Sequence, residues 1–394
     1  MKKQALSSLL ILVYFLINCS ADTPLQTKTF TIGTGFNNNV QDLAIQSNGK
    51  IIVGGLFTEY NSNPSNFIAC LNTGGTIDPT FLVGEGFDRN IRTLFIQTDD
   101  KILVGGQFNT YQGIPARGII RLNPNGLIDN TFVYGSALND FTSVEAFAEQ
   151  NDSKLIIGGG FTNYNDTGIN RIARLNQNGS IDNSFNVGSG FNGTVMDIQL
   201  QSDGKIICVG AFTKYNNETV NGIIRLNTDG TIDKTFVTGS GFSTTPNNPF
   251  TINIESDGQI IIGGKFTNYN GTEINRIIRL NTDGSLDNSF NVGSGFNDIV
   301  FFRNAIQNDD RLIVCGAYTG YNGSPVNRIV RLKTDGSIDN TFNNGSGFDS
   351  TTLSVVTQSD GKIIIGGAFL NYNTDPVSKI IRLNADGSSD TIDL

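Results

Sequence analysis

Histidine is absent from all 394 residues, and so is tryptophan. The first absence removes Ser-His-Asp and Cys-His nucleophilic centres and every histidine-bound metal site. The second takes away the strongest stacking platform for a sugar ring, leaving tyrosine and phenylalanine. Cysteine is scarce: Cys19, Cys70, Cys208 and Cys315 show no CxxC spacing, and three left after processing would be an odd number, so no disulfide framework is written here. Cys208 and Cys315 stand in "IICVGAF" and "LIVCGAY", where sister segments carry Val or Gly, and read as small buried residues. Positive charge is also short, with 27 Lys and Arg against 36 Asp and Glu, net −9. The basic residues are dispersed, and an acidic chain repels a phosphate backbone, which argues against nucleic acid as a partner.

Long hydrophobic runs are missing beyond the N-terminus. Lys2 and Lys3 precede an apolar run at 5–17, too short for a comfortable membrane span, which is the pattern of a signal peptide. "LINC" (16–19) resembles a lipobox of the looser spirochaete type, although Asn18 replaces the usual small residue. Residues 1–18 are thus expected to be a lipoprotein signal, Cys19 the lipidated N-terminus, and 19–28 a lipid-anchored linker. Cleavage after Ala21, at "CSA", is the competing reading. Losing both lysines would take the net charge to −11. The expected address is the cell envelope at the outer membrane, touched through lipid only, with a monomeric domain outside it.

What is present is repetition. A "GG-x-F" signature places Phe57, Phe108, Phe161, Phe212, Phe266, Tyr318 and Phe369 in register, about every 52 residues. A period of this size belongs to propellers or solenoids. Each copy holds four strand-like pieces; in the fourth copy they are 195–201, 205–212, 222–227 and 231–237. "SDG" and "TDG" join them, supplying the positive φ angles of tight hairpins. Nothing helical follows the signal segment. The expectation is an all-β, seven-bladed β-propeller over 29–394, four antiparallel strands per blade. The last copy loses its fourth aromatic, while "TFTIGTGF" (29–36) matches the missing "SFNVGSGF". The N-terminal strand is therefore expected to close the ring and cover an open edge. A linear solenoid would want atypical capping copies, and none is seen.

"GKIIVGGLFTEYN" and "GGKFTNYNGTEINRIIRLNTDGSLDNSF", with their sister copies, resemble the delta-60 repeat family of bacterial predicted β-propellers. The resemblance covers about 29–394. It implies the fold and carries no assigned activity.

Residues needed in every blade belong to the scaffold. One Tyr per copy (Tyr60, Tyr111, Tyr164, Tyr215, Tyr269, Tyr321, Tyr372) suggests a ring packed between blades with its hydroxyl holding a loop. The "RL" arginines, from Arg121 to Arg382 with Cys70 in the first copy, precede an "ID"-type aspartate and suggest pairing rather than an anion belt. "NTDGSID" misses the calcium-loop pattern, so no metal and no cofactor are expected. Dispersed carboxylates are poor evidence for a glycosidase, and no catalytic residue is assigned.

Divergence between copies is greatest where the first strand begins, at Gln41, Arg92, Glu145, Met196, Phe250, Phe302 and Leu353, near the mouth of a central channel. "STTPNNPF" (243–250) and "NDIVFFRN" (297–304) break the pattern together, making Phe250, Phe301, Phe302 and Arg303 the candidate ligand-binding residues. They lie on the long-loop face, opposite the tight turns. The expected function is non-catalytic binding of a protein or polymer at the envelope. The alternative is an extracellular carbohydrate-active enzyme with carboxylates near the channel mouth.

Overall fold

Isoleucine, valine and leucine fill one strand of each repeat so completely that it must be buried on both faces, and the architecture follows from covering it. A computed structural model describes residues 29–392, apart from 134, 136, 139–141, 243–247 and 302. The expected signal, linker and Cys19, the lengthened stretch at 243–247, and Phe302 lie outside the described residues.

In the first unit the inner strand Val40–Ile45 pairs antiparallel with the middle strand Ile51–Gly55, which pairs with the outer strand Ile68–Leu71. The middle strand is buried throughout. A separate two-residue hairpin, Glu59–Tyr60 with Asn63–Pro64, interrupts the return to the outer strand. Seven such sheets recur along the chain, all antiparallel. Inner strands of consecutive units touch, and the packing needs glycine: a Cβ on Gly54 would lie 2.7 Å from Ile91 Cγ2 of the next unit.

The expected fourth strand is reduced to one bridge pair per unit, such as Leu226↔Ile232. Asp233 ends it. Its Oδ1 accepts from the Thr235 N–H (3.0 Å) and hydroxyl (2.7 Å), folding the chain into an Asx turn before a ladder can form. The units are three-stranded sheets with an accessory hairpin, not sheets of four.

That same aspartate anchors a strut between units. Arg225 Nε donates to Asp233 Oδ2 (2.7 Å), Nη2 to Thr235 Oγ1 (3.1 Å), and Nη1 both to Gln201 Oε1 (3.1 Å) and to the Thr282 carbonyl of the next unit. Its guanidinium lies over the Phe236 ring, 4.7 Å from the centroid. Arg121, Arg174, Arg279, Arg331 and Arg382 repeat the arrangement. Nearly every donor of the fork is used, so these arginines hold the framework and are not an anion belt. In the first unit Cys70 stands in their place: Lys50 Nζ pairs with Asp78 (2.7 Å), and Gln46 Nε2 reaches the Pro124 carbonyl of the second unit (3.1 Å).

The seventh unit borrows from the N-terminus. Phe30–Thr31 pairs parallel with Thr391–Ile392. The Thr29 N–H donates to Asp390 Oδ1 (3.2 Å), Arg382 Nη2 donates to the Thr29 hydroxyl, and the Arg382 guanidinium covers Phe30 at 4.9 Å. Thr29 and Phe30 thus occupy the places that Thr235 and Phe236 fill within one unit. The first and seventh units also share a hydrophobic cluster, and Ser354 Oγ donates to Asp42 Oδ1 (3.0 Å).

Each conserved-looking aromatic has a packing role. Phe36 meets Phe57 and Tyr60 with ring centroids 4.2 and 4.4 Å apart. Burying such a ring is worth about 2 kcal/mol. The Tyr60 hydroxyl donates to the Gly75 carbonyl (2.6 Å), and the other six tyrosines do the same, 15 residues on. Burial pushes all seven phenols up. Cys70, Cys208 and Cys315 are free and buried, as the apolar settings of the last two suggested.

Candidate functional site

A bulge opens the inner strand of six units one residue after its start, as between Val40 and Asp42. Inner-strand N–H groups that no backbone carbonyl takes need side-chain acceptors. Two aspartates supply them. Asp42 accepts from Leu43 N–H (2.9 Å) and from Leu94 N–H in the second unit (2.8 Å). Asp197 accepts from Ile198 N–H (2.8 Å) and from Ile252 N–H in the fifth (2.8 Å).

Arg303 crosses to meet them. Its Nη2 lies 3.1 Å from Asp42 Oδ2 and donates to Thr93 Oγ1 at 2.6 Å. It can do so because the sixth unit is irregular. Between the Val300↔Gly316 bridge and the Ala305↔Ile313 pair there are four residues, where the first unit places three between Val40 and Ala44. The insertion moves the register by one. Phe301, not Phe302, corresponds to Gln41, Arg92, Glu145, Met196, Phe250 and Leu353.

Gln41, Asp42, Arg92, Glu145, Met196, Asp197 and Arg303 surround a central recess of about 20 Å³, room for about one water molecule. The expected convergence at the channel mouth is thus seen for four of the divergent positions. Burial pushes Asp197 up to about 6, against the pull of Arg303 and its two N–H donors, and the Asp42 charge adds to the rise. Glu145 also rises through burial, which outweighs the Ser143 hydroxyl and Arg92. For Arg303 burial works downward, but Asp42 and Asp197 more than offset it and keep the guanidinium charged.

Phe250, on the inner strand Pro249–Ile254, and Phe301 are both half-buried and lie parallel, centroids 6.4 Å apart and planes 6° apart. The structure therefore brings Phe250 and Phe301 together and holds Arg303 in the ring centre, paired to a carboxylate. Asp42 and Asp197 were not singled out from sequence. Their signal was faint: they are carboxylates at a position that holds Thr93, Ala146, Thr251 and Ser354 elsewhere. Their partners beyond the adjacent residue lie one unit away or, for Asp42, 261 and 312 residues away.

No curated relative matches the sequence. Among solved structures, the WD40 β-propeller domain of Doa1 is 14% identical with TM-score 0.53, covering 85% of this chain and 91% of that one. Virginiamycin B lyase from Staphylococcus aureus is 16% identical with TM-score 0.51, covering 87% and 94%. The extracellular domain of a hybrid two-component system, BT3049 of B. thetaiotaomicron, is 14% identical with TM-score 0.52 over 89% of this chain; the match spans 39% of that longer chain. At such identities the likeness speaks for the fold alone. Residues 46–81, 97–132, 150–185, 201–236, 255–290, 307–342 and 358–391 each match one family, described as a domain of unknown function (DUF5122) beta-propeller. Seven stretches, one per folded unit, place this chain in the DUF5122 β-propeller family.

Proposed function

We propose that this chain is an exported, lipid-anchored β-propeller that binds a protein or polymer at the cell envelope and performs no chemistry. The observation that carries the reading is the Phe250–Phe301 pair, partly exposed at the channel mouth of an otherwise repeated scaffold. Aromatics of this kind anchor interfaces, and a repeat framework has no packing need for them in two units of seven. Arg303, acting from its pair with Asp42, completes the candidate surface. In the same reading, Thr29 and Phe30 close the ring, and Cys19 carries the lipid that tethers a monomer to the outer membrane.

The test is to capture a partner with the full chain and measure affinity after Phe250→Ala with Phe301→Ala. A loss of at least about 1 kcal/mol, roughly fivefold, is expected. Unchanged affinity in a folded variant moves the site elsewhere. Mass spectrometry of the mature N-terminus checks Cys19, and an unmodified chain starting at Asp22 would remove the anchor.

A second reading, an enzyme acting on extracellular carbohydrate, draws on the carboxylates Asp42, Glu145 and Asp197 near the mouth. The recess they line is too small for a sugar ring, and both aspartates are engaged by backbone N–H groups. Glycan cleavage lost on Glu145→Gln would revive it.

A further inference from the structure

On the face opposite the channel mouth, the tight turns of neighbouring units stand side by side, with grooves at some seams and side-chain bridges at others. Recesses of about 650, 480, 540 and 560 Å³ lie between units three and four, four and five, six and seven, and seven and one. One turn position separates most of them; unit three, with Ser153 there, is the exception. In units four, five, seven and one it is Gly204, Gly258, Gly361 and Gly49. In units two and six it is Asp100 and Asp310, both in the left-handed region (φ 64° and 58°). Asp100 reaches back to the preceding turn and accepts from Ser47 N–H (2.8 Å) and hydroxyl; Asp310 does the same to Ser256, at 3.3 and 2.6 Å. Between units two and three, Glu149 makes a similar bridge to Thr98 N–H (3.1 Å) and Gln97 Nε2 (2.9 Å). A carboxylate at the seam bolts it; glycine leaves it open.

The groove between units four and five carries the clearest chemistry. Asp203, Glu255, Asp257 and Asp283 line it against Lys205 and Arg225. Both cations are committed to Asp233, at 3.0 and 2.7 Å. One oxygen of Asp257 accepts from Gln259 N–H and one of Asp283 from Ser285, leaving the second oxygen of each without a hydrogen-bond partner among the described residues. Glu255 is an independent sign. It is 6% exposed, its Oε2 receives Arg279 Nη1 (3.1 Å), and its Oε1 has no partner. All six sister units carry glutamine there, and Gln97, Gln150, Gln201 and Gln307 give the side-chain oxygen to the strut arginine of their own unit. A buried acceptor left open costs about 1–3 kcal/mol, so a donor from outside is favoured.

We propose that the groove between the fourth and fifth units binds alkylammonium groups, with Glu255, Asp257 and Asp283 as acceptors. No three carboxylates, histidines or cysteines among the described residues converge closely enough to hold one metal ion. The positive charges that answer these carboxylates must therefore be spaced along a ligand, as in a polyamine or a lysine-rich segment. Lysine-type ammonium suits the site because it donates three hydrogen bonds from a compact head.

The experiment is calorimetric titration of the full-length chain with spermidine and, separately, with a penta-lysine peptide. Gly258→Asp copies Asp310 and is expected to bridge to Ser202 and shut the groove; Glu255→Gln copies the sister units and removes the carboxylate without changing shape. Affinity should fall at least tenfold with Gly258→Asp and about fivefold with Glu255→Gln, thermal melting confirming that each variant folds. The first substitution adds a negative charge, so mere attraction to an acidic surface would raise affinity instead. Binding of either probe with both losses supports the site and names its source. Binding of neither probe, or equal or tighter binding by Gly258→Asp, overturns it.

Discussion

The rim and the hub of this ring solve the same problem in opposite ways. At the rim an arginine, an aspartate, a hydroxyl and a phenylalanine recur in six units, each strut reaching one carbonyl of its neighbour. At the hub the pattern breaks: only units one and four place an aspartate there, Asp42 and Asp197, each serving two strands, and Arg303 spans the middle. Repetition is affordable where each unit sees the same surroundings. The hub is where seven units meet at once, so a few unequal side chains suffice there and equal ones would crowd like charges together. Structural identity at the rim leaves the hub and the seams between turns as the places where this chain differs from its own pattern.

The sharpest way to break the comparison is at the seventh unit, where the rim motif is split between the chain ends. Deleting residues 20–34 removes Phe30 and Ile32, both fully buried. A loss of at least about 5 kcal/mol is expected, above the ~3–5 kcal/mol of a single buried Phe→Ala change. An unchanged melting curve would count heavily against closure by this strand. Next comes an intact unit. Arg279→Ala leaves the buried Asp287 with no cation among the described residues and strips Glu255 of its partner as well, and should cost about 3–4 kcal/mol in urea unfolding, since the orphaned carboxylate is the expensive part.

Acidity separates hub from rim. Burial raises rim aspartates, but hydroxyl, N–H and arginine partners win, holding Asp129 and Asp339 near about 2. Their stabilisation is therefore present above the unfolded carboxyl value of about 3.9 and fades as pH falls toward 2. Asp197 runs the other way. Its folded value, about 6, is above the unfolded one, so the folded state is favoured most below about 4 and loses this advantage as pH rises through 6. The shift corresponds to on the order of 3 kcal/mol. Stability should peak between the two windows, near pH 4. Asp197→Asn should flatten the limb between pH 4 and 6 while leaving the acid limb in place; a slope unchanged by that substitution would assign the upper limb to another group.

The smallest effect sharpens the one exception in the rim. Cys70→Arg restores the common residue to the first unit, yet Lys50 already neutralises Asp78 and Gln46 already holds the Pro124 carbonyl. The change should move stability by less than about 1 kcal/mol, in the range of a volume change whose functions are already covered. A gain of several kcal/mol would show that the substitute contacts are weak.

Much of the rim was legible because one period repeats seven times. The middle strand, the tight turns, the tyrosine hydroxyl and the borrowed Phe30 all follow from aligning the copies. The fourth strand was misread because "TIDKTFV" has strand composition; Asp233 ends it through a bond to Thr235 two residues on, which composition does not display. The hub was legible only as divergence. A single inserted residue in unit six shifted the mouth position from Phe302 to Phe301, and Arg303 found its carboxylate in unit one. Pairings across the ring leave no trace in local spacing.

The borrowed strand has a mechanical meaning. Any tension carried by the residues before Thr29 arrives first at two residues, Phe30 and Thr31, paired to the last strand of the chain. Phe30 also completes the seventh strut, together with Thr29. Pulling on that end therefore loads this two-residue pair before any three-stranded sheet, so a tether attached there would report force as the parting of the two chain ends.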